Sequence, residues 1–273
     1  MGKFDGILFC TDLDGTLYRN DKTISSENRK AIEYFKREGG YFTFITGRLP
    51  YYSSDAYSAI RPNAPYGCIN GGGVYDGEKN EYIWALSLPD EWHEIVSDVE
   101  ERCTTVGIEL CAFDKTYFAK DSSATIWHRG AVGLENATCD HRRFSDPIGK
   151  ILFCTDIEEE ILNVERELRT HPMAERFDFI RSERVMFEVL PKGASKGLAL
   201  SKLSEHLKID TKRTVAIGDY NNDVSMIAKA GVGIAVANAS PAALASADYI
   251  TVSNDEHAIA KVIHDIENGK IKF

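Results

Sequence analysis

Residues 6–18 read GILFCTDLDGTLY. The apolar run Ile7–Cys10 gives way to Asp12, and a second acid, Asp14, follows two residues on. Gly15 and Thr16 come next, and then the chain turns apolar again. A short continuous apolar run bounded by turn residues reads as a strand buried on both faces. Residues i and i+2 of an extended chain point to the same side, so Asp12 and Asp14 can face one small volume at the strand's carboxyl end. Two close carboxylates do not both stay ionised unless something offsets their charge. Locally two readings stand: an Asp-Gly turn with both acids in water, or a site built around a cation.

The pattern on either side of this stretch sets the fold class. Ala31, Ile32 and Phe35 give a helix one apolar face, and Gly39-Gly40 ends it. Tyr41–Ile45 is the next strand and runs into Thr46-Gly47-Arg48. A Tyr-rich helical stretch leads to the strand Tyr66–Ile69 and to Asn70-Gly71-Gly72-Gly73. Near the other end Leu200, Leu203 and Leu207 recur at helical spacing. TVAIGD from Thr214, GVGIAV from Gly231 and YITV from Tyr249 follow as strands, and Ile259, Val262, Ile263 and Ile266 mark a closing helix. Alternation of this kind predicts an α/β fold with a Rossmann-like, doubly wound parallel sheet. Between Ile83 and Leu190 the character changes to longer helices and alternating strands such as RVMFEVL from Arg184. The two ends need each other to complete one sheet. The expected organisation is therefore a core domain of residues 1–82 and 191–273 with an inserted α/β domain of residues 83–190.

Composition narrows the function. The chain has 273 residues, 43% of them apolar and 27% charged, which suits globular domains with a sizeable core. A net charge of −10 disfavours nucleic acid and anionic membrane as partners, though a local basic pocket for a small anion is allowed. No run reaches membrane-spanning length, and MGKFDG lacks the apolar segment of a secretory signal. Gly2 is followed by Gly6 where a myristoylation signal has Ser or Thr. The cysteines Cys10, Cys68, Cys103, Cys111, Cys139 and Cys154 form no Cys-x-x-Cys pair. Buried thiols in a reducing cytoplasm are the expectation. Oligomeric state leaves no signal.

The hexapeptide ILFCTD returns at Ile151–Asp156, followed by Ile157-Glu158-Glu159 with no Gly-Thr. Asp156 and Glu159 have the spacing of a capping box. The second copy is expected to be strand, cap and helix, through Leu162 and Leu168, without chemistry.

The first copy has a counterpart. AIGDYNND repeats the design of strand, glycine and acid, with Asp219, Asn221, Asn222 and Asp223. These are hard oxygen ligands without His or Cys, a set that suits magnesium. Thr46, Gly47 and Arg48 offer a hydroxyl, an open amide and a guanidinium at another strand end. Lys196, behind the expected helix cap Ser195, offers a point charge near a helix start. Each feature alone has an ordinary reading, as a turn or a surface lysine. Their coincidence at several strand ends does not.

In order, DLDGTL, TGR, KGASKGLAL and GDYNNDVSMIAKAGVGIAVANA resemble the four motifs of the haloacid dehalogenase (HAD) superfamily. With ADYITVSND and the insert, the chain resembles its Cof-type phosphatases with the type IIB α/β cap. The resemblance implies a magnesium-dependent phosphatase of small phosphorylated metabolites, sugar phosphates above all. Asp12 would be the nucleophile that forms an aspartyl-phosphate, and Asp14 the acid and then the base. Asp12, the Asp14 backbone carbonyl and Asp219 would hold the metal, with Asn222 or Asp223 completing or orienting its shell. Thr46 and Lys196 would hold the phosphoryl oxygens. Asn70 and Gly71 fall where the third strand meets substrate, and Arg48 is a substrate contact. In the insert, Trp127, His128 and Arg129 are candidate pocket residues, set against a core tryptophan and a solvated arginine. The tail NDEHAIA departs from the family, which has glycine after the acidic pair, and is expected to lie away from the chemistry.

Rival readings are a non-enzymatic regulator on the same fold, which would need a missing catalytic residue, dehalogenation, which does not need the second acid or the metal, and three more. A phosphomutase or phosphotransferase shares DxDGT. A serine hydrolase could use Ser195, within Gly193-Ala194-Ser195-Lys196-Gly197, with Asp219 and His257, but Pro191 and Lys192 set that serine too far from its strand for a tight elbow. Dinucleotide binding through GVGIAV lacks the third glycine.

Overall fold

The structure is a computed structural model that describes residues 2–273. In chain order the strands are β1 Leu8–Thr11, β2 Tyr41–Phe44, β3 Tyr66–Cys68, β4 Gly73–Asp76 and β5 Glu81–Ala85. There follow β6 Gly107–Ala112, β7 Thr116–Lys120, β8 Ile148–Cys154, β9 Phe177–Glu183 and β10 Met186–Pro191. The last three are β11 Thr214–Gly218, β12 Val232–Ala235 and β13 Tyr249–Ile250. The chain divides into two compact units, one running to Trp84 and resuming at Ser195–Phe273, the other Ala85–Ala194.

In the first unit a parallel sheet runs β13-β12-β11-β1-β2. β1 lies inside the sheet between β11 and β2, and its Leu8, Phe9 and Cys10 are fully buried because both faces are covered. Leu8 and Cys10 pack with Leu200 and Leu203 of helix Lys196–Leu207 and with Met226. On the other face Phe9 meets Phe35 and Phe42 at 5.8 and 5.2 Å between ring centroids. Phe35 belongs to helix Ser26–Arg37, which starts where Ser25 accepts a hydrogen bond from Asn28 N–H. The sheet is thus doubly wound. Cys10 lies beside Ala216, and Thr11 lies beside both Ile217 and Phe44, so β1, β11 and β2 finish level along one edge. β3, β4 and β5 form a separate small sheet, joined to the strand-end region by a parallel bridge between Ile45 and Gly67.

In the second unit the sheet order is β7-β6-β8-β10-β9, and the pairs around β8 and β10 are antiparallel. Helices Trp92–Arg102 and Glu158–Thr170 supply Ile95, Val96, Val99, Ile161, Val164 and Leu168 to a core against Leu110, Ile151, Phe153, Phe187 and Val189. The residues that alternate with these along β6, β8 and β10 include Glu109, Lys150 and Glu188, all buried.

One local expectation is corrected here, and two open readings lose one alternative. The capping box on Asp156 does not form. Helix Glu158–Thr170 starts after Ile157 without a side-chain cap, and Thr155 takes that part by accepting from Ile157 N–H and donating to Glu160. Asp156 instead accepts from Ser123 Oγ. Trp127 is 65% exposed rather than core, because it lies on the outer side of helix Ser123–Val132. Arg129 is sheltered rather than solvated, held by Asp121 at 3.1 Å and Asn136 at 2.7 Å with its guanidinium over the Phe118 ring.

Candidate active site

The level strand ends of the parallel sheet place the acids. Asp12 follows β1 directly and Asp219 follows β11. Asp223 lies one turn further, where its Oδ2 accepts from Asp219 N–H and Tyr220 N–H, both at 2.9 Å. Ligand oxygens of Asp12, Asp219 and Asp223 all lie within 4.8 Å of one another. Lys196, the first residue of its helix, inserts among them and donates to Asp12 Oδ1 at 2.6 Å and Asp223 Oδ1 at 2.5 Å. Its side chain is almost fully buried.

Three carboxylates against one ammonium leave an excess of negative charge in a sheltered place. Burial pushes the Asp12 carboxyl well above its usual range, reinforced by Asp223 and Asp219 and opposed by Lys196. Asp219 is raised to about 6, by burial first and the Asp223 charge second, against a hydrogen bond from Thr16. For Lys196, burial works against the charged form, but Asp12 and Asp223 outweigh it and raise its pKa. Hard-oxygen donors with charge to spare fit a divalent cation of the magnesium type. The surroundings fit as well. A Cβ on Gly15 would lie 2.5 Å from Asp219 Oδ2, so only glycine leaves this cradle open.

Asp14 stands apart from the trio. Leu13–Leu17 is one wide turn closed by Tyr18 N–H to Leu13 carbonyl at 2.8 Å. Within it Asp14 is extended and Gly15 is left-handed at φ 80°. This kink sends the Asp14 carboxylate to Arg48, at 2.7 and 3.2 Å, and to Lys22 at 3.2 Å. Burial alone would raise its pKa, but the Arg48 and Lys22 charges prevail and hold it below the usual carboxylate range. Thr16 donates to Asp219 Oδ1 at 2.8 Å, so the same turn touches the metal-type cluster.

The remaining predicted residues surround these groups. Buried Thr46 accepts from Arg48 N–H at 3.2 Å. Its carbonyl accepts from Asn70 N–H at 3.1 Å. The Asn70 side-chain oxygen accepts from Asn222 at 3.0 Å, which ties the two loops together. Ile69, Asn70 and Gly71 are all left-handed, at φ 55°, 50° and 92°. A β-branched residue there is strained, and such strain gathers at functional sites. Gly71 passes so close to the Ser195 carbonyl that any Cβ would collide with it. The structure thus brings Asp12, Asp219, Asp223 and Lys196 into one cluster, with Thr46, Gly47, Asn70, Gly71 and Asn222 linked beside it. Asp14 and Arg48 pair with each other. Sequence reasoning missed the roles of Thr16, although it stands in DLDGT, and of Lys22, which no motif marks.

Two other readings are settled by geometry. Ser195 is a helix cap accepting from Leu198 N–H at 3.2 Å, while His257 faces Glu27 at 3.6 Å. No hydrogen bond joins that serine to that histidine among the described residues. The tail, expected to lie away from the chemistry, instead grips the segment after Asp14. Asn254 donates to the Tyr18 carbonyl, and Asp255 accepts from Asn20.

Comparison with known proteins shows the family. The pattern of the haloacid dehalogenase-like hydrolases matches residues 9–263. The 5-amino-6-(5-phospho-D-ribitylamino)uracil phosphatase YcsE of Bacillus subtilis (strain 168) is 30% identical over 256 residues, covering 94% of each chain. A solved haloacid dehalogenase-like hydrolase from Bacteroides thetaiotaomicron superposes with a TM-score of 0.84 at 27% identity, over 95% of this chain and 99% of that one. A sugar phosphatase of HAD subclass IIB has the same fold, with a TM-score of 0.80 at 22% identity over 97% and 100% of the two chains. The chain belongs to this family, as a haloacid dehalogenase-like hydrolase of the Cof phosphatase type.

Proposed function

We propose that the protein is a magnesium-dependent phosphatase of small phosphorylated metabolites, sugar phosphates first among them. The observation that carries this is the separation of two kinds of acid. Asp12 lies in the cluster with Lys196, Asp219 and Asp223, and Asp14 lies outside it with Arg48. Asp12, Asp219 and the Asp14 backbone carbonyl would hold the ion, with Asp223 and Asn222 supporting them. When bound, magnesium supplies positive charge for the phosphoryl oxygens and for the acids.

This chain's residues would then divide the work. An Asp12 oxygen attacks phosphorus, the new O–P bond forms, and the bond to the leaving oxygen breaks. Asp14 gives that oxygen its proton. In the second half Asp14 takes a proton from water as the water attacks phosphorus and Asp12 departs. Paired with Arg48 and Lys22, Asp14 is in the base form that the second half requires. The first half requires Arg48 to turn away, and a bound phosphoryl group is what would draw it. Thr46 and Lys196 hold phosphoryl oxygens in place.

We further propose that residues 83–190 act as the cap that chooses substrate, and that the enzyme works in the cytoplasm. Six unpaired cysteines support a reducing compartment. Among the described residues no helix is long and apolar enough to cross a membrane. The test is phosphate release from a panel of phosphorylated metabolites with magnesium and with EDTA. Sugar phosphates should be hydrolysed and EDTA should abolish turnover. Full activity without metal, or phosphate trapped on a residue other than Asp12, overturns the reading.

A further inference from the structure

Asp14 is aimed by its backbone. Among the described residues its carboxylate is held by two side chains that are themselves partly or largely exposed, those of Arg48 and Lys22. The residue after it, Gly15, is the least restricted type of residue in the chain. Something must therefore fix the turn. Asn238 Nδ2 donates to the Gly15 carbonyl at 2.8 Å. The Asn238 side-chain oxygen in turn accepts from Asn254 N–H at 2.9 Å. The Asn254 amide reaches the other end of the same segment, donating to the Tyr18 carbonyl at 3.0 Å and to Asn20 Oδ1 at 3.2 Å. Asp255 completes the grip by accepting from Asn20 N–H at 3.0 Å and from its side chain at 2.6 Å. Asn254 is buried, and its neighbour His257 takes a left-handed turn at φ 64° before helix Ala258–Glu267.

We propose that Asn238 and Asn254 form an amide relay that holds both ends of the Gly15–Asn20 segment and so aims the Asp14 carboxylate at the leaving oxygen. They are positioning residues and touch no reacting atom. Asn254 is fixed by burial, Asn238 is fixed by Asn254, and Gly15 is fixed by Asn238. The Asn254 N–H that holds Asn238 belongs to the backbone, so Asn254→Ala keeps it and frees only the Tyr18–Asn20 end of the segment, while a change at Asn238 frees only the Gly15 end.

The inference rests on Asp14 being the proton donor, and the test separates the two ideas. Asn238→Asp keeps the oxygen that accepts from Asn254 and removes the N–H given to Gly15. Asn238 is exposed, so this variant should fold. Burst rates are measured on a sugar phosphate and on an activated aryl phosphate, whose leaving group needs no proton. Asn238→Asp should lose about tenfold on the sugar phosphate, the range that one hydrogen bond spans. On the aryl phosphate it should lose less than about twofold, and KM should hold. Hydrogen exchange over residues 13–20 should quicken. Asn254→Ala, which frees the Tyr18–Asn20 end, should shift both readouts in the same direction. Equal losses on the two substrates, or unchanged exchange over residues 13–20, overturns the relay. Asp14→Asn is measured alongside. If it too loses equally on both substrates, the acid role is what fails, and exchange over residues 13–20 alone then decides the relay.

Discussion

The hexapeptide Ile-Leu-Phe-Cys-Thr-Asp occurs twice, at Ile7–Asp12 and Ile151–Asp156, and its two aspartates end in different chemistry. Both copies form a buried strand with a neighbour on each side, β1 and β8. The neighbours of β1 run parallel to it, so their carboxyl ends, with Asp219 among the residues that follow, gather beside Asp12. The neighbours of β8 run the other way. At its carboxyl end Cys154 faces Gly107 and Met186, the first residues of β6 and β10. Asp156 therefore finds strand beginnings and the Ser123 hydroxyl, and it stays exposed. Strand direction in the sheet, rather than the local sequence, decides which acid acquires partners.

The largest effect expected from this contrast is on turnover. Asp12→Asn should lower kcat by at least about 10^4-fold, the order seen when a nucleophile is removed. Asp156→Asn, the same change in the same hexapeptide, should leave kcat and KM unaltered. Steady-state assays of the two purified variants settle it. A comparable loss in both would end the distinction between the copies.

How much of this could be read from sequence follows the same division. Asp12, Asp219 and Lys196 were legible because each stands at an element boundary that apolar periodicity marks, and a parallel sheet collects its strand ends. The Asp156 cap was misread because spacing alone cannot tell which of two adjacent polar residues, Thr155 or Asp156, turns toward the helix. Trp127 and Arg129 stayed open because the face a short helix presents depends on how it is docked. Lys22 and Asn254 were invisible for a further reason. Their partners are loop groups, and the Asn254 bond to Tyr18 spans 236 residues of sequence. No periodicity records such a contact.

A second, smaller effect concerns buried charge. In the first unit Lys196 faces two acids of a cluster of three. In the second unit Lys150 faces Glu188 at 3.1 Å, and His128 faces buried Glu109 at 2.9 Å. Lys196→Met and Glu188→Gln should each destabilise the protein by about 3–5 kcal/mol, the usual result of stranding a buried charge. Magnesium should separate them. It should recover more stability in Lys196→Met than in wild type, because the stranded groups there are carboxylates that the ion can share. In Glu188→Gln it should add only what it adds to wild type. Urea unfolding with and without magnesium measures this, and equal recovery in the two variants would break the contrast.

The smallest effect is a pH dependence whose sign differs between groups. Asp219 is raised to about 6 and Asp12 is raised too, each chiefly by burial. A raised acid favours its protonated form in the folded state. Its stabilisation is complete below the unfolded value near 4 and is lost as pH rises through the folded one. On these two groups, metal-free protein gains stability from pH 7 to pH 5. His141 in the second unit works in the other direction. Burial lowers its pKa, with Glu100 opposing, so its contribution is present above the unfolded value near 6.5 and falls away in acid. His141 acts alike with and without metal, so it cancels in a difference. Magnesium binding requires the carboxylates deprotonated, and protons compete with it below about pH 6. The rise in unfolding midpoint on adding magnesium should therefore be largest at pH 7 and shrink by pH 5. Melting curves at saturating magnesium and in EDTA, taken at pH 5, 6 and 7, give that difference directly. A rise that is constant across the three, or that grows toward acid, would mean that the Asp12–Asp219 cluster does not bind the ion.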